Sequence, residues 1–151
     1  MKILGLSTMG NSAASIVIDG VVIVAIEEER LTRIKNDGGF PYEAIKHCLD
    51  VSSLKISDID IISVYWKPWR VFTRIIGIFK LAFYNYFFFN VFINLILSSF
   101  FGMNKNNNYP ELRGSWFDLF RLKRLIKKKF GKFKAKIEFV DHHKSHVASS
   151  Y

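Results

Sequence analysis

The segment KILGLSTMGNSAASIVIDGVVIVAI, residues 2–26, decides how the fold begins. Three runs of mainly aliphatic residues alternate in it with turn residues, which predicts strands at 2–7, 13–18 and 21–26. Gly10-Asn11 marks the first turn, and Asp19-Gly20 is a two-residue hairpin signal. The chain is therefore expected to open with a β-meander.

Helix and strand signals alternate after this meander. Pro41 stands at the first turn of a predicted helix over 42–49, and an apolar strand is predicted at 61–65. Residues 116–130 have apolar side chains at helical spacing, and a short strand is predicted at 136–140. This alternation predicts an α/β fold.

The net charge of +9 comes from one part of the chain. Nine of the 22 Lys and Arg lie in residues 121–136 (RLKRLIKKKFGKFKAK), a run that holds no Asp or Glu. The other 13 basic residues equal in number the 13 acidic residues of the chain. The sequence therefore predicts a basic patch on an otherwise neutral protein.

A single cysteine, Cys48, lies in the apolar pattern of the predicted helix. It cannot form an internal disulfide, and we interpret it as a core residue. Residues 2–8 offer too short an apolar run for a secretory signal. A reducing, cytoplasmic location is the expectation.

Histidines cluster in the stretch DHHKSH, residues 141–146. His142 and His146 are four apart, so on a helix both imidazoles project from one face and can share a metal ion. His143 would point elsewhere, and Asp141 is a candidate to fix an imidazole tautomer. Two imidazoles alone do not hold a metal, and a group of surface histidines is the alternative interpretation.

The turn after the first strand is a candidate anion site, because the small side chains at 12–14 let a phosphate approach backbone N–H groups. Arg33 and Lys35, beside the Gly38-Gly39 loop, are candidate phosphate clamps. Both features also have structural interpretations, as an ordinary turn and as a solvated face paired with acidic residues 27–29.

Taken together, these stretches resemble the N-terminal part of the O-carbamoyltransferases. Members of this family modify nodulation factors and several antibiotics, and they are similar to the transferase that makes threonylcarbamoyladenosine in tRNA. The resemblance is carried mainly by EEERLTRIKNDGGFP (27–41) and FVDHHKSHVASSY (139–151). One departure is Gly10-Asn11, where many relatives have His-Asp just before Ser-Ala-Ala.

The resemblance implies an N-terminal lobe of the ribonuclease H-like type found in actin, Hsp70 and sugar kinases. A helical apolar and basic insertion is expected at about residues 68–135. The implied reaction makes carbamoyl-adenylate from carbamoyl phosphate and ATP, then passes the carbamoyl group to a hydroxyl of a small molecule or sugar.

The resemblance also implies site residues. By position, His142 and His146 match ligands of a divalent, iron-type metal. The residues themselves, apart from the resemblance, make Ser12, Arg33, Lys35 and His143 the candidate nucleotide or phosphate ligands. The third metal ligand in the family is an aspartate far downstream, so a C-terminal lobe or companion subunit is expected to complete the site.

Three other interpretations stay open at this stage. The chain can be an inactive fragment or a split subunit that acts as a binding module. Residues 81–103 carry no charged side chain over 23 positions, long enough for a membrane span. The basic patch at 121–136 can bind nucleic acid, although no base-reading module accompanies it.

Overall fold

The computed structural model describes residues 1–8, 10–70, 72–73, 76–77, 116–141 and 144. Its regular elements are β1 (Lys2–Ser7), β2 (Ala13–Ile18), β3 (Val21–Glu27), α1 (Glu28–Thr32), α2 (Tyr42–Val51), β4 (Ile61–Val64), α3 (Trp116–Phe130) and β5 (Lys136–Phe139).

The predicted α/β class is confirmed, and the predicted strands and helices agree with the structure to within two residues at each end. Helix α1 is not among the predicted elements, because its charged sequence predicts only a segment in which the chain leaves the sheet. Most of the expected insertion at about 68–135 lies outside the described residues, as does the uncharged run 81–103. Within the described part of the chain, no helix is long and apolar enough to cross a membrane.

The strands of the described residues form one mixed sheet in the order β3-β2-β1-β4-β5. Strand β2 runs antiparallel to both of its neighbours, whereas β1, β4 and β5 are mutually parallel. The β2–β3 connection is the predicted hairpin, with Asp19 at φ 49° and Gly20 at φ 86°. Two successive positive φ values match the twist that tight hairpins require.

One face of the sheet packs against α2 and α3. Alternate strand residues point into this core, as the period of two requires. The fully or nearly buried strand side chains are Leu4, Leu6, Ala14, Ile16, Ile62 and Val64. The buried helix side chains are Ala44, Ile45, Cys48, Leu49, Leu119, Leu122 and Ile126.

Cys48 is confirmed as a core residue. Its side chain is fully buried, and the thiol donates to the Ala14 carbonyl at 3.4 Å. Burial raises the pKa of this thiol to about 11. Since thiolates are the reactive form, Cys48 is chemically inert at neutral pH.

Ser12 links the start of β2 to two later segments. Its N–H donates to the Asp37 carbonyl at 3.0 Å, and its carbonyl accepts the Glu28 N–H at 2.8 Å. Its hydroxyl donates to the Gly39 carbonyl. We call the four residues Ser12, Glu28, Asp37 and Gly39 the Ser12 joint.

Within the Ser12 joint, the side chain of Glu28, a residue of helix α1, caps the start of helix α2. Its side chain is buried, and its two carboxylate oxygens accept the N–H groups of Glu43 (3.1 Å) and Ala44 (2.7 Å). The first N–H groups of a helix have no partner inside the helix, so an outside acceptor satisfies them. Burial raises the pKa of Glu28, and this effect exceeds the lowering by the two backbone donors.

Side chains also fold the loop between α1 and α2 onto itself. The Asp37 carboxylate accepts the Thr32 hydroxyl at 3.1 Å and the Gly39 N–H at 3.0 Å. The Glu29 carboxylate accepts the Asn36 N–H at 2.8 Å. The stretch 27–41 thus builds its own loop and fixes that loop to the first turn of the sheet.

The cap predicts a loss of stability when Glu28 is truncated. Glu28→Ala leaves the N–H groups of Glu43 and of the buried Ala44 without their acceptor, and we expect the free energy of unfolding to fall by about 1–3 kcal/mol. Glu43→Ala removes an exposed carboxylate from the same helical turn, so its effect should stay within about 0.5 kcal/mol. Urea unfolding measures both, and equal effects would contradict a capping role.

The raised pKa of Glu28 predicts a pH dependence. A carboxyl group with a raised folded-state pKa stabilises the fold below its unfolded-state pKa, and that contribution is lost as the pH rises through the folded-state value. We therefore expect the unfolding free energy of the native protein, minus that of Glu28→Gln, to decrease from about pH 4 to pH 7. Urea titrations at several pH values measure this difference, and an increase with pH would refute it.

Candidate functional site

Parallel strands place several segments at one edge of the sheet. Strands β1, β4 and β5 end there, and β3 ends there too because it is antiparallel to β2. We call this the carboxyl edge, formed by residues 8, 10–12, 27–30, 65–67 and 140–141. In open α/β sheets, ligands bind outside the carboxyl ends of the strands.

The β1–β2 turn is held to β4 by a tyrosine. The Tyr65 hydroxyl donates to the Thr8 carbonyl at 3.0 Å, and the Ser7 hydroxyl donates to the Asn11 carbonyl at 3.1 Å. Burial raises the pKa of the Tyr65 phenol, which keeps it protonated as a donor. Gly10 has φ 70°, a conformation that glycine adopts without strain.

Thr8 is a candidate ligand contact that the sequence analysis missed. It is 3% exposed, and its hydroxyl has no hydrogen-bond partner among the described residues. A buried hydroxyl without a partner costs free energy, so such groups often mark ligand sites. Nothing in the spacing of turn residues distinguishes Thr8 from its neighbours, and only the tertiary structure reveals it.

The predicted phosphate ligands lie at different depths. Ser12 is buried, and its N–H, carbonyl and hydroxyl are all engaged in the Ser12 joint, which gives it a structural role. Arg33 and Lys35 are exposed, and Arg33 ends α1 in the left-handed conformation at φ 61°. Phosphate binding by these three residues stays a prediction.

Arg30, near these residues, pairs with acidic side chains as a solvated face would. Its guanidinium lies 3.6 Å from the Glu27 carboxylate and 3.8 Å from that of Glu29. Its side chain is largely exposed, so these pairs contribute little to stability.

A cavity of about 590 Å³ extends along the sheet toward the carboxyl edge. Small side chains of neighbouring strands line it, and Glu27, Arg30 and Tyr65 lie toward the strand ends. At Gly5, a Cβ atom would lie 2.6 Å from the Ser15 hydroxyl, so the strands leave no room for a side chain there. The volume is that of a small-molecule site.

Asp141 is held by two cations from the segment that follows β4. Its carboxylate lies 2.7 Å from the Arg70 guanidinium and 3.9 Å from the Lys67 ammonium group, and its side chain is 14% exposed. The Trp69 ring packs edge-on against the Phe139 ring, with the two ring centroids 5.7 Å apart, and this contact joins the same segment to β5. These contacts fix the end of β5 at the carboxyl edge.

The predicted metal ligands His142 and His146 lie outside the described residues, as does His143. Their roles, and the predicted role of Asp141 beside them, stay predictions. Among the residues that the structure does describe, no group of three or more His, Cys, Asp or Glu side chains is placed to hold a metal ion.

Comparison with known proteins agrees with the resemblance drawn from the motifs. The family model "Carbamoyltransferase N-terminus" matches residues 2–151. An uncharacterized protein of Synechocystis, sll1178, is 32% identical over 158 residues, which cover 99% of this chain and 23% of that protein.

Two rhizobial proteins match part of the chain. The nodulation protein NolNO of Sinorhizobium fredii is 47% identical over 57 residues, which cover 38% of this chain and 8% of NolNO. An uncharacterized 19.2 kDa protein of Rhizobium etli, from the syrM 5' region, is 48% identical over 59 residues, covering 39% of this chain and 34% of that protein. The chain thus spans only a small share of the length of the relatives that it matches. Because the family model matches residues 2–151, the chain belongs to the carbamoyltransferase N-terminus family.

Proposed function

We propose that the protein carrying this chain transfers a carbamoyl group to a hydroxyl of a small molecule or sugar. In this proposal water cleaves carbamoyl phosphate to carbamate and phosphate, and carbamate displaces pyrophosphate from ATP to give carbamoyl-adenylate. The acceptor oxygen then attacks the carbamoyl carbon and loses its proton as AMP leaves. The observation that carries the proposal is the family match over residues 2–151. A cytoplasmic location, inferred from the lone cysteine, is part of the same proposal.

The strand order supports a ribonuclease H-like lobe. In the order β3-β2-β1-β4-β5, only β2 runs against the other strands, and α2 connects β3 to β4 across the sheet. A lobe of this type needs an opposing partner to form a cleft. Since the chain covers 23% of the relative sll1178, we assign that partner to a C-terminal lobe or a companion subunit.

The donor chemistry at 142–146 fits an iron-type divalent ion. Two imidazoles completed by one carboxylate leave open coordination positions, and such sites suit iron(II). His142 and His146 would hold the metal, and the completing aspartate is expected from the proposed C-terminal lobe or companion subunit. A bound metal would supply charge neutralisation and polarise an oxygen of the substrate.

The residues of this chain would act mainly by orienting the substrates. Small side chains leave the cavity open beside the strands. The buried Thr8 hydroxyl, which does not line this cavity, offers a polar contact at the carboxyl edge. Arg33, Lys35 and His143 would neutralise phosphate oxygens, while Ser12 would keep the turn in place. Since AMP is a good leaving group, orientation and electrostatics supply most of what the reaction needs.

The contact between Arg70 and Asp141 suggests how the histidine segment is positioned. Asp141 directly precedes His142, and its carboxylate is fixed at 2.7 Å from a guanidinium on another segment. Groups that orient metal ligands without binding the metal typically change metal affinity about 10- to 100-fold when lost. We assign Arg70 a positioning role of this kind.

The metal assignment is tested on the whole natural protein that carries this chain. His142→Ala and His146→Ala should each lose most of the bound divalent metal, measured by elemental analysis, and with it carbamoyl transfer. His47→Ala is the control, because His47 is a half-buried histidine of α2 away from the carboxyl edge and should retain the metal. Unchanged metal content in His142→Ala would refute the assignment, whereas metal binding without transfer to any hydroxyl acceptor would favour a binding module.

The positioning role is tested with two variants of one residue. Arg70→Ala should weaken metal binding about tenfold or more, and Arg70→Lys should restore part of it because a cation remains near Asp141. Arg124→Ala, which removes an exposed cation from α3, should leave metal affinity unchanged. A lower melting temperature for Arg70→Ala with unaltered metal affinity would show that the ion pair is structural only.

A further inference from the structure

A groove of about 610 Å³ lies at the amino edge of the sheet, where β4 and β5 begin. The 3-10 turn Ile56–Asp58 forms one wall, and α3 with the loop after it forms the other. The described residues that line it are Ser57, Lys123, Lys127, Lys132, Phe133 and Lys134. The amino edge is opposite the carboxyl edge, so this groove is separate from the proposed transfer site.

The groove concentrates positive charge without compensation. Its four lysines are exposed, and none of them forms an ion pair within the described part of the chain. The carboxylate of Asp58, which follows Ser57, accepts the Lys55 N–H at 2.8 Å and the Ser57 hydroxyl at 3.3 Å, and among the described residues it forms no ion pair with these lysines. Like charges gathered in this way repel one another unless an anion binds between them.

The basic surface continues into an adjoining depression of about 280 Å³. This depression shares Ser57 and Lys132 with the groove and adds Lys46 and Lys55, with Asp50 as its acidic residue. The cations thus line an elongated path, and they come from α2, from Lys55 just before the 3-10 turn, from α3 and from the loop that follows α3. A solvated helix face would be confined to one element, whereas these lysines converge from several.

The shape and the chemistry together limit the ligand class. A concave site of this volume accommodates a small molecule rather than a flat surface. Lysine ammonium groups are compact point charges that bind phosphate without a fixed geometry. We propose that the groove binds a small anion with several linked phosphates, of the size of a triphosphate chain.

Calorimetric titration of the whole protein with inorganic tripolyphosphate tests the proposal. We expect binding that weakens as salt increases, and at least about tenfold weaker binding in the double variant Lys127→Gln/Lys132→Gln. The matched control Lys128→Gln/Lys129→Gln removes the same charge from lysines that do not line the groove, and its affinity should stay within about twofold. Melting temperatures confirm that both variants fold.

Several outcomes would overturn the proposal. No binding to the native protein, or equal loss in both double variants, would show that the groove is not a specific site. Orthophosphate should bind at least about tenfold more weakly than tripolyphosphate, and equal affinity would contradict the need for linked phosphates. Groove-dependent binding of phosphatidylserine vesicles or of a single-stranded oligonucleotide, with no tripolyphosphate binding, would assign the surface to a macromolecule instead.

Discussion

The buried carboxylate of Glu28 is the interaction on which the arrangement of this fold depends most. It accepts two N–H groups at the start of α2, while its own N–H is bound to the Ser12 carbonyl. One residue thus joins the exit of β3, the beginning of the first core helix and the first turn of the sheet. Because the charged form is costly to bury, the arrangement holds only while both helix donors stay in place.

This joint explains why the stretch 27–41 contains its particular residues. Glu28 caps a helix, Asp37 binds the Thr32 hydroxyl, and Gly39 lies where a Cβ would be 3.0 Å from the Asp37 carboxylate. Part of the motif that identifies the family is therefore fold-building. The groups that face outward from it, Arg33 and Lys35, are exposed and remain available for a substrate.

Much of the fold could be predicted from periodicity alone. Aliphatic runs with a period of two place the strands, and the spacing of Leu119, Leu122 and Ile126 identifies the buried face of α3. The Ser12 joint could not be predicted, because Glu28 lies between two other glutamates and its local pattern is that of a solvated face. Burial of one of three adjacent carboxylates depends on where α2 begins in space, which no local pattern contains.

The candidate site likewise has one part that local sequence patterns predict and one part that only the tertiary structure shows. The spacing of His142 and His146 is a local pattern, so the sequence can propose it, although both residues lie outside the described part of the chain. The contact of Asp141 with Arg70 bridges about 70 positions, and no local pattern contains it.

Gly10-Asn11 adds a chemical constraint, because it puts no imidazole or carboxylate in the turn where the resemblance to the O-carbamoyltransferases leads us to expect His-Asp. Gly10 also has φ 70°, a conformation that strains a larger side chain even though no atom of the described residues lies within 4 Å of the position that its Cβ would take. If the proposed transfer needs a base to take the proton of the acceptor hydroxyl, that base must therefore come from outside this turn.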